Sequence, residues 1–359
     1  MTSPIHIRRQ LNQRLARTTL KTPLDVVSWL GAIQAQDYPG ARWALGLRAA
    51  GLTDARVEKA YDDGAILRTH VLRPTWHFVA PADIRWMLAL TGPRVMARMA
   101  PYNRQLELDK PTFAKSRKVL ERTLRDGRHL TRAELATALE RGGITAKGPR
   151  LAHLVMDAEL QAIICSGPRR ANQFTYALLE ERAAPAPPLT REEALAELVR
   201  RYFTSHGPAS IRDFVWWSGL TTADARAGLA MLGTDVCDER RDDVTCWSLR
   251  AQRPASVRAL SPGAHLLPNY DEYLIAYRDR GFSVTAGGVT FDDFYAHFLT
   301  INGLLAGTWR RVLAKDAVTI SVRTMKPLSR PAKALVAAAA ERYATFMERR
   351  VELRYSRSS

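Results

Sequence analysis

Cysteine is nearly missing from this chain: Cys165, Cys237 and Cys246 are the only three in 359 residues. None lies in a Cys-x-x-Cys pair or beside a second ligand at zinc spacing, and an odd number does not make a disulfide framework. A reduced, cytoplasmic protein without structural zinc is therefore expected. Cys237 and Cys246 have the spacing to face each other across a hairpin, but two half-buried thiols are the simpler reading. No run approaches the ~18 consecutive apolar residues of a transmembrane helix. The opening MTSPIHIRRQLNQRL has no apolar stretch of the secretory kind, so a signal peptide is not expected. There is no P-loop, no Gly-x-Gly-x-x-Gly, no His-Glu-x-x-His and no Gly-x-Ser-x-Gly. Nucleotide hydrolysis, dinucleotide chemistry, zinc proteolysis and serine hydrolysis lose their usual signatures. Acid is short as well: 36 Asp and Glu stand against 53 Lys and Arg, for a net charge of +17 and a pI near 10.2. Only nine of those 53 basic residues are lysines. GC-rich codon usage accounts for arginine over lysine but not for the excess of base. A field of this sign draws a polyanion, most often nucleic acid.

The chain is 46% hydrophobic, and its length predicts several domains. Ile5, Ile7, Leu11 and Leu15 recur near helical spacing. Thr22 and Pro23 form an N-cap and first turn for PLDVVSWLGAIQAQ, with Leu24, Val27 and Leu30 as the predicted buried face. Thr53 starts another helix. AILRTHVLRPTWHFVA reads as two strands broken at Pro74, and Pro81 and Asp83 start a further helix. Helix, turn, helix, hairpin is the winged-helix order. The order recurs from KSRKVLERTL, with Thr131 as a cap, Gly142-Gly143 as a stop and a hairpin at Gly167-Pro168. After the Pro/Ala-rich linker ERAAPAPPLTREEA it recurs again, with a hairpin turning at Arg240–Asp243. From residue 263 short strands dominate, and PAKALVAAAAERYATFMERR is the predicted closing helix. The expected fold class is mainly α with β (α+β). Three tandem winged-helix modules are predicted over 1–110, 111–188 and 189–262, followed by a β-rich C-terminal region over 263–359.

Four groups of residues invite a chemical reading. In RTHVLRPTWHFV, Arg68, His70, Arg73, Thr75, Trp76 and His77 make a basic, aromatic hairpin suited to duplex insertion or phosphate contact. The alternative places Trp76 and Phe78 in the core of a half-buried strand. At the predicted recognition helices, Thr131, Arg132 and Glu134, and Thr221, Thr222 and Asp224, include acids that argue against ordinary major-groove readers. In LPNYDEYLIAYRDR, adjacent Asp271 and Glu272 diverge by about 100° on a helix and do not form a facing carboxylate pair. Last come Gln34 and Gln36, with Ala35 between them. On a helix they diverge; on extended chain they share a face. Acting at one site, they need the helix to end near Ile33, which Pro39-Gly40 allows. Carboxamides can hold a water through donors and an acceptor but cannot deprotonate it strongly. That apparatus suffices only for a leaving group that is already excellent. The alternative is plain helix-end hydrogen bonding.

The phrases IQAQDYPGARWALGLR, HVLRPTWHFVAPADIRWML, LLPNYDEYLIAYRDR and GTWRR at 307–311 resemble the bacterial winged-helix DNA glycosylases of the AlkZ and YcaQ type, over nearly the whole chain. The resemblance implies a concave DNA-binding scaffold of three winged-helix modules and a β-rich end. It implies that Gln34 and Gln36 are the catalytic Gln-apolar-Gln motif. The YcaQ-type branch has Asp at the second position, so this chain is similar to the AlkZ-type branch. It further implies that the partner is double-stranded DNA carrying N7-alkylated purines, including bulky antibiotic adducts and interstrand crosslinks in some members. The setting is then base excision repair or self-resistance. Alkylation at N7 makes the purine cationic, so departure neutralises it and needs no general acid. What remains is to stabilise an oxocarbenium-like sugar and to position water. No lysine near the motif suggests Schiff-base chemistry; Lys21 is the nearest. Arg42, Arg68, His70, Arg73, Thr75, Trp76 and His77 are the expected DNA contacts, with the hairpin at Arg68–Phe78 reaching in from the grooves. No cofactor, metal or membrane is expected, and a cytoplasmic, nucleoid-associated monomer is. Two rivals stay open: a DNA-binding regulator without catalysis, and a resistance protein that sequesters a drug or its adduct.

Overall fold

The structure is a computed structural model that describes residues 4–241, 243–252, 262–279 and 297–356. Helix α1 covers Ile5–Asn12 and α2 covers Pro23–Leu30. Thr22 and Asp25 close a capping box at the start of α2, with Pro23 in its first turn. The buried stripe of α2 is Pro23, Val26, Val27 and Leu30, the i, i+3, i+4, i+7 set of a single face. Leu24, predicted to be inside, is off that stripe and 38% exposed. Gly31, at φ +83°, ends the helix in a conformation that side chains resist. The next residues are extended, and Ile33–Gln34 form a short strand, β1.

Two helices follow, α3 (Tyr38–Gly46) and α4 (Asp54–Asp62), and then the hairpin of β2 (Leu67–Val71) and β3 (Arg73–Val79). The three strands make one antiparallel sheet in the order β1-β3-β2. The break predicted at Pro74 falls at Leu72, which has φ +63°. Pro74 and Thr75 lie within β3 but between the paired positions Arg73 and Trp76, at a register shift. A residue without an N–H is tolerated there because no ladder bond is required of it.

Helix α5 (Ile84–Gln105) leads to α6 (Lys110–Leu124), β4 (Leu130–Thr131), α7 (Arg132–Arg141), α8 (Gly148–Leu160), β5 (Ile164–Ser166) and β6 (Thr175–Leu178). These three strands form a sheet in the order β4-β6-β5. After α9 (Leu179–Arg182) and the Pro/Ala stretch come α10 (Arg191–Ser205), α11 (Ile211–Ser218), α12 (Thr222–Leu232) and the hairpin of β7 (Val236–Arg241) and β8 (Val244–Leu249). Glu134 and Asp224, the acids at odds with groove reading, are the third-turn-position partners of capping boxes with Thr131 and Thr221. Across β7 and β8, Cys237 stands opposite Ser248 and Cys246 opposite Glu239, and the three cysteines are free.

The C-terminal part holds β9 (Ala264–Leu267), α13 (Glu272–Ile275), β10 (His297–Ile301), β11 (Leu304–Leu313), β12 (Ala317–Thr324), α14 (Arg330–Phe346) and β13 (Arg350–Ser356). Its sheet runs β13-β12-β11-β10-β9. The predicted final helix does not close the described chain. It is a crossover, since β13 pairs parallel to β12 and a parallel return needs such a connection. The overall mixture of helix and sheet agrees with the predicted α+β class. No described helix is long and apolar enough to cross a membrane.

Three clusters of buried side chains hold these elements. One joins α2–α4 to the C-terminal sheet and α14, with Trp43 packed edge-on against Tyr343 at 4.9 Å between ring centroids. A second unites the β2–β3 hairpin with α5 and α10–α12. The third lies entirely within residues 108–178. The β2–β3 hairpin therefore runs through the centre of the molecule, not along its rim.

Candidate active site and nucleic-acid interface

Gln34 sits where β1 leaves the core, and four hydrogen bonds fix its surroundings. Its N–H donates to Glu272 Oε1 at 2.9 Å. The next N–H, of Ala35, donates to Trp76 O at 2.7 Å, and Arg68 Nε donates to Ala35 O at 3.0 Å. Arg73 Nη2 donates to Gln34 Oε1 at 3.0 Å. A guanidinium can only donate, so the carboxamide oxygen is the atom turned toward Arg73 and the NH2 group is directed elsewhere. The helix has already ended at Leu30, so both glutamines lie on non-helical chain. Gln34 is nearly buried, whereas Gln36 is exposed.

The two glutamines line different recesses. Gln34 borders a recess of about 870 Å³ that gathers five arginines: Arg73, Arg94, Arg98, Arg212 and Arg278. Two come from α5, one from α11, one from β3 and one from the segment after α13. No Asp or Glu lines this recess, and none of the five arginines forms an ion pair among the described residues. Burial lowers the Arg73 guanidinium from its ordinary pKa, with the Glu272 charge opposing that shift. Gln36 borders a second recess of about 710 Å³, where Trp76, Phe174 and Tyr176 gather beside Arg68. The Arg68 guanidinium lies 4.3 Å from the Trp76 ring centroid and 4.6 Å from that of Phe174. Burial lowers its pKa also. Adjacent residues Thr75 and Trp76 line one recess each, so β3 borders both.

The remaining predicted contacts divide sharply. Arg68, Arg73, Thr75 and Trp76 do line recesses. His70 and His77 line neither recess, and both are buried, unlike the exposed contacts expected of them. His70 is buried and hydrogen-bonded through Nδ1 to Glu159 of α8, its ring 4.4 Å from that of Trp76. His77 is wholly buried, and its Nδ1 donates to Thr75 O at 2.8 Å. Burial, reinforced by the nearby Arg73 charge, pushes His77 down to about 3, so its ring is neutral at physiological pH. Arg42 is engaged by Asp54 at 3.1 Å and Glu58 at 2.7 Å, which neutralise it locally.

The hairpin tip is not free to enter a groove either. Leu72 is 1% exposed, and its N–H donates to Thr91 Oγ1 of α5 at 3.2 Å. A Cβ built on Gly219, between α11 and α12, would stand 2.4 Å from the Leu72 carbonyl oxygen. The tip is thus clamped between two helical units, and only its flank at residues 73–76 reaches the recesses. The residues that sequence reasoning missed are Arg94, Arg98, Arg212, Arg278 and Glu272. Arg94 and Arg98 carry a local signal, the i, i+4 spacing that puts them on one helix face. The others carry none. No group of three or more His, Cys, Asp or Glu able to hold a metal occurs among the described residues.

A family model described as DNA glycosylase AlkZ-like matches residues 27–346. An interstrand DNA cross-link repair glycosylase of Streptomyces sahachiroi is 25% identical over 293 residues, which cover 74% of this chain and 75% of that protein. The solved structure of the Streptomyces sahachiroi DNA glycosylase AlkZ has the same fold, with a TM-score of 0.80 at 20% identity over 98% of this chain and 100% of that one.

Proposed function

The chain belongs to the DNA glycosylase AlkZ-like family, and from that premise we propose that it is a monofunctional glycosylase hydrolysing the N-glycosidic bond of N7-alkylated purines in duplex DNA. The observation that carries this reading is the lack of an acid where the chemistry would occur. Neither recess is lined by Asp or Glu among the described residues. His77, the nearest imidazole on β3, is kept neutral by burial. The recess linings therefore offer no carboxylic acid to protonate a departing neutral base. A base that is already cationic leaves without that help. Gln34 and Gln36 then serve to position water and to stabilise the developing sugar cation by their dipoles.

The two recesses supply a matching division of labour. The arginine recess takes phosphates of the lesion-bearing strand, where five unpaired guanidiniums release counterions on binding. The aromatic recess beside Gln36 takes an apolar substituent carried by the modified base, stacked on Trp76 or Phe174. The units at 1–110, 111–188 and 189–262 act as the modules that build this surface, and the arginine recess draws also on Arg278 of the C-terminal region.

Incubation with duplexes carrying N7-methylguanine or a bulky N7 adduct, followed by alkaline cleavage, tests the reading. Wild type should give strand breaks at the lesion well above the spontaneous rate. If neither substrate is cut above that rate while DNA is still bound, the catalytic reading is wrong and a binding role remains.

A further inference from the structure

The Tyr-Asp-Glu-Tyr phrase at 270–273 has no part in the chemistry above, yet Glu272 is wholly buried and bonded to the backbone of Gln34. We propose that Glu272 is the positioning residue of Gln34, an inference that rests on the glycosylase reading. The argument begins with the strand edge. In the sheet order β1-β3-β2, β1 is at the edge. Ala35 N–H donates inward to Trp76 O, and successive peptide groups of a strand alternate in direction. The Gln34 N–H therefore points away from the sheet, into protein. A buried N–H in that position needs an acceptor, and no backbone carbonyl supplies one. The Glu272 carboxyl does, from a residue 238 positions away.

Glu272 is itself rigidly held. Its second oxygen accepts Trp217 Nε1–H at 3.0 Å, with His206 Nε2 at 3.5 Å. Its backbone oxygen accepts Gln13 Nε2 at 3.3 Å. Its neighbour Asp271 caps α13 and grips Arg48 through two bonds of 2.8 Å. Strand β1 has two residues, follows a positive-φ glycine and leads into a bend. So short a segment does not hold its own position. Gln34 is instead fixed from two sides, its backbone by Glu272 and its side-chain oxygen by Arg73. A displacement of about 1 Å in a positioning group costs on the order of a hundredfold in rate.

The test is a cycle of Glu272→Gln, Glu272→Ala and Gln34→Ala. Single-turnover excision of N7-methylguanine, affinity for the same duplex and thermal melting are read together. A carboxamide at 272 has the same size as the carboxyl but offers one oxygen to two N–H donors. Glu272→Gln should slow excision about tenfold, and Glu272→Ala more, with duplex affinity unchanged within about twofold. In the Gln34→Ala background the same changes should have no further effect on rate, because Glu272 acts through Gln34. Trp217→Phe, which removes the donor to the other carboxyl oxygen and leaves the Gln34 bond, should slow excision less than Glu272→Gln does. A Glu272 variant that slows Gln34→Ala by the same factor as it slows wild type overturns the proposal, and so does wild-type excision by both variants. If Glu272→Ala fails to melt cooperatively, the isosteric Glu272→Gln carries the cycle. A wild type without excision would sink the functional reading instead. Amide hydrogen exchange at Gln34 would then still decide the point: faster exchange in Glu272→Gln supports the positioning bond, and equal protection overturns it.

Discussion

One strand borders two unlike recesses. Next to Gln34, five guanidiniums stand without carboxylate partners. Next to Gln36, two arginines line the recess, Arg132 and Arg68, and the Arg68 guanidinium lies against the rings of Trp76 and Phe174. The difference comes largely from the neighbours of β3, which gives Arg73, Pro74 and Thr75 to the first recess and Trp76 to the second. Helices α5 and α11 bring exposed arginines to one flank; the start of α7 brings Thr131, Arg132 and Ala133 to the other, and the segment before β6 brings Asn172, Gln173 and Phe174. The exposed Arg94, Arg98, Arg212 and Arg278, without carboxylate partners, suit phosphate, which is read by charge. A desolvated arginine already stacked on tryptophan suits a flat apolar surface, with its charge balanced by rings.

The comparison can be broken in steps of decreasing size. The largest effect should come from the glutamines. Gln34→Ala and Gln36→Ala should each lower single-turnover excision on the order of a hundredfold while leaving duplex affinity nearly intact. Normal excision by both would remove the motif from the chemistry. Next, Trp76→Ala or Phe174→Ala should reduce excision of a bulky N7 adduct about tenfold more than excision of N7-methylguanine. Equal losses on the two substrates would show that the aromatic recess does not contact the substituent.

A smaller and different signature belongs to the basic side. Arg94→Ala or Arg98→Ala should weaken binding on both damaged and undamaged duplexes. Each should reduce the slope of log affinity against log salt by roughly 0.9. A Trp76 change should leave that slope alone. If the arginine variants keep the wild-type slope, the recess does not hold phosphate.

The smallest effects concern the buried hairpin. Gly219→Ala meets both a positive φ of +71° and the Leu72 carbonyl, and should cost about 1–3 kcal/mol in melting experiments. For His77 the sign follows from burial. Its folded value is depressed to about 3 from an ordinary 6.5, so below pH ~6.5 the unfolded chain binds a proton that the folded chain refuses. Stability should be level above that pH and fall as pH drops from about 6.5 toward 3. In His77→Gln that fall should be shallower. A pH profile of melting unchanged by the substitution would contradict the assignment.

Much of the fold is legible in the sequence. The capping residues Thr22, Thr53 and Thr131 mark their helices because their signal is local: a hydroxyl and a first turn, with an acid three residues on at Thr22 and Thr131. The basic excess announced a polyanion, and the Gln-Ala-Gln motif was visible as an anomaly. The errors were of another kind. Leu24 was placed inside because three apolar residues three apart resemble a stripe, when the i, i+3, i+4, i+7 set beside it was the true one. His70 and His77 were placed on DNA because a basic, aromatic hairpin looks exposed until its packing partners are known.

Sequence alone thus determined the helix starts, the sign of the partner and the residue types available for chemistry, since each depends on neighbours within a few positions or on totals. Tertiary structure decided which of those residues face solvent. It buried the hairpin tip under Gly219, neutralised Arg42 with Asp54 and Glu58, and collected Arg212 and Arg278 beside Arg73. It also brought Glu272 to the backbone of Gln34 across 238 positions. Such contacts depend on how separate elements pack, and burial and pairing set the charge state and reach of a side chain more strongly than its identity does.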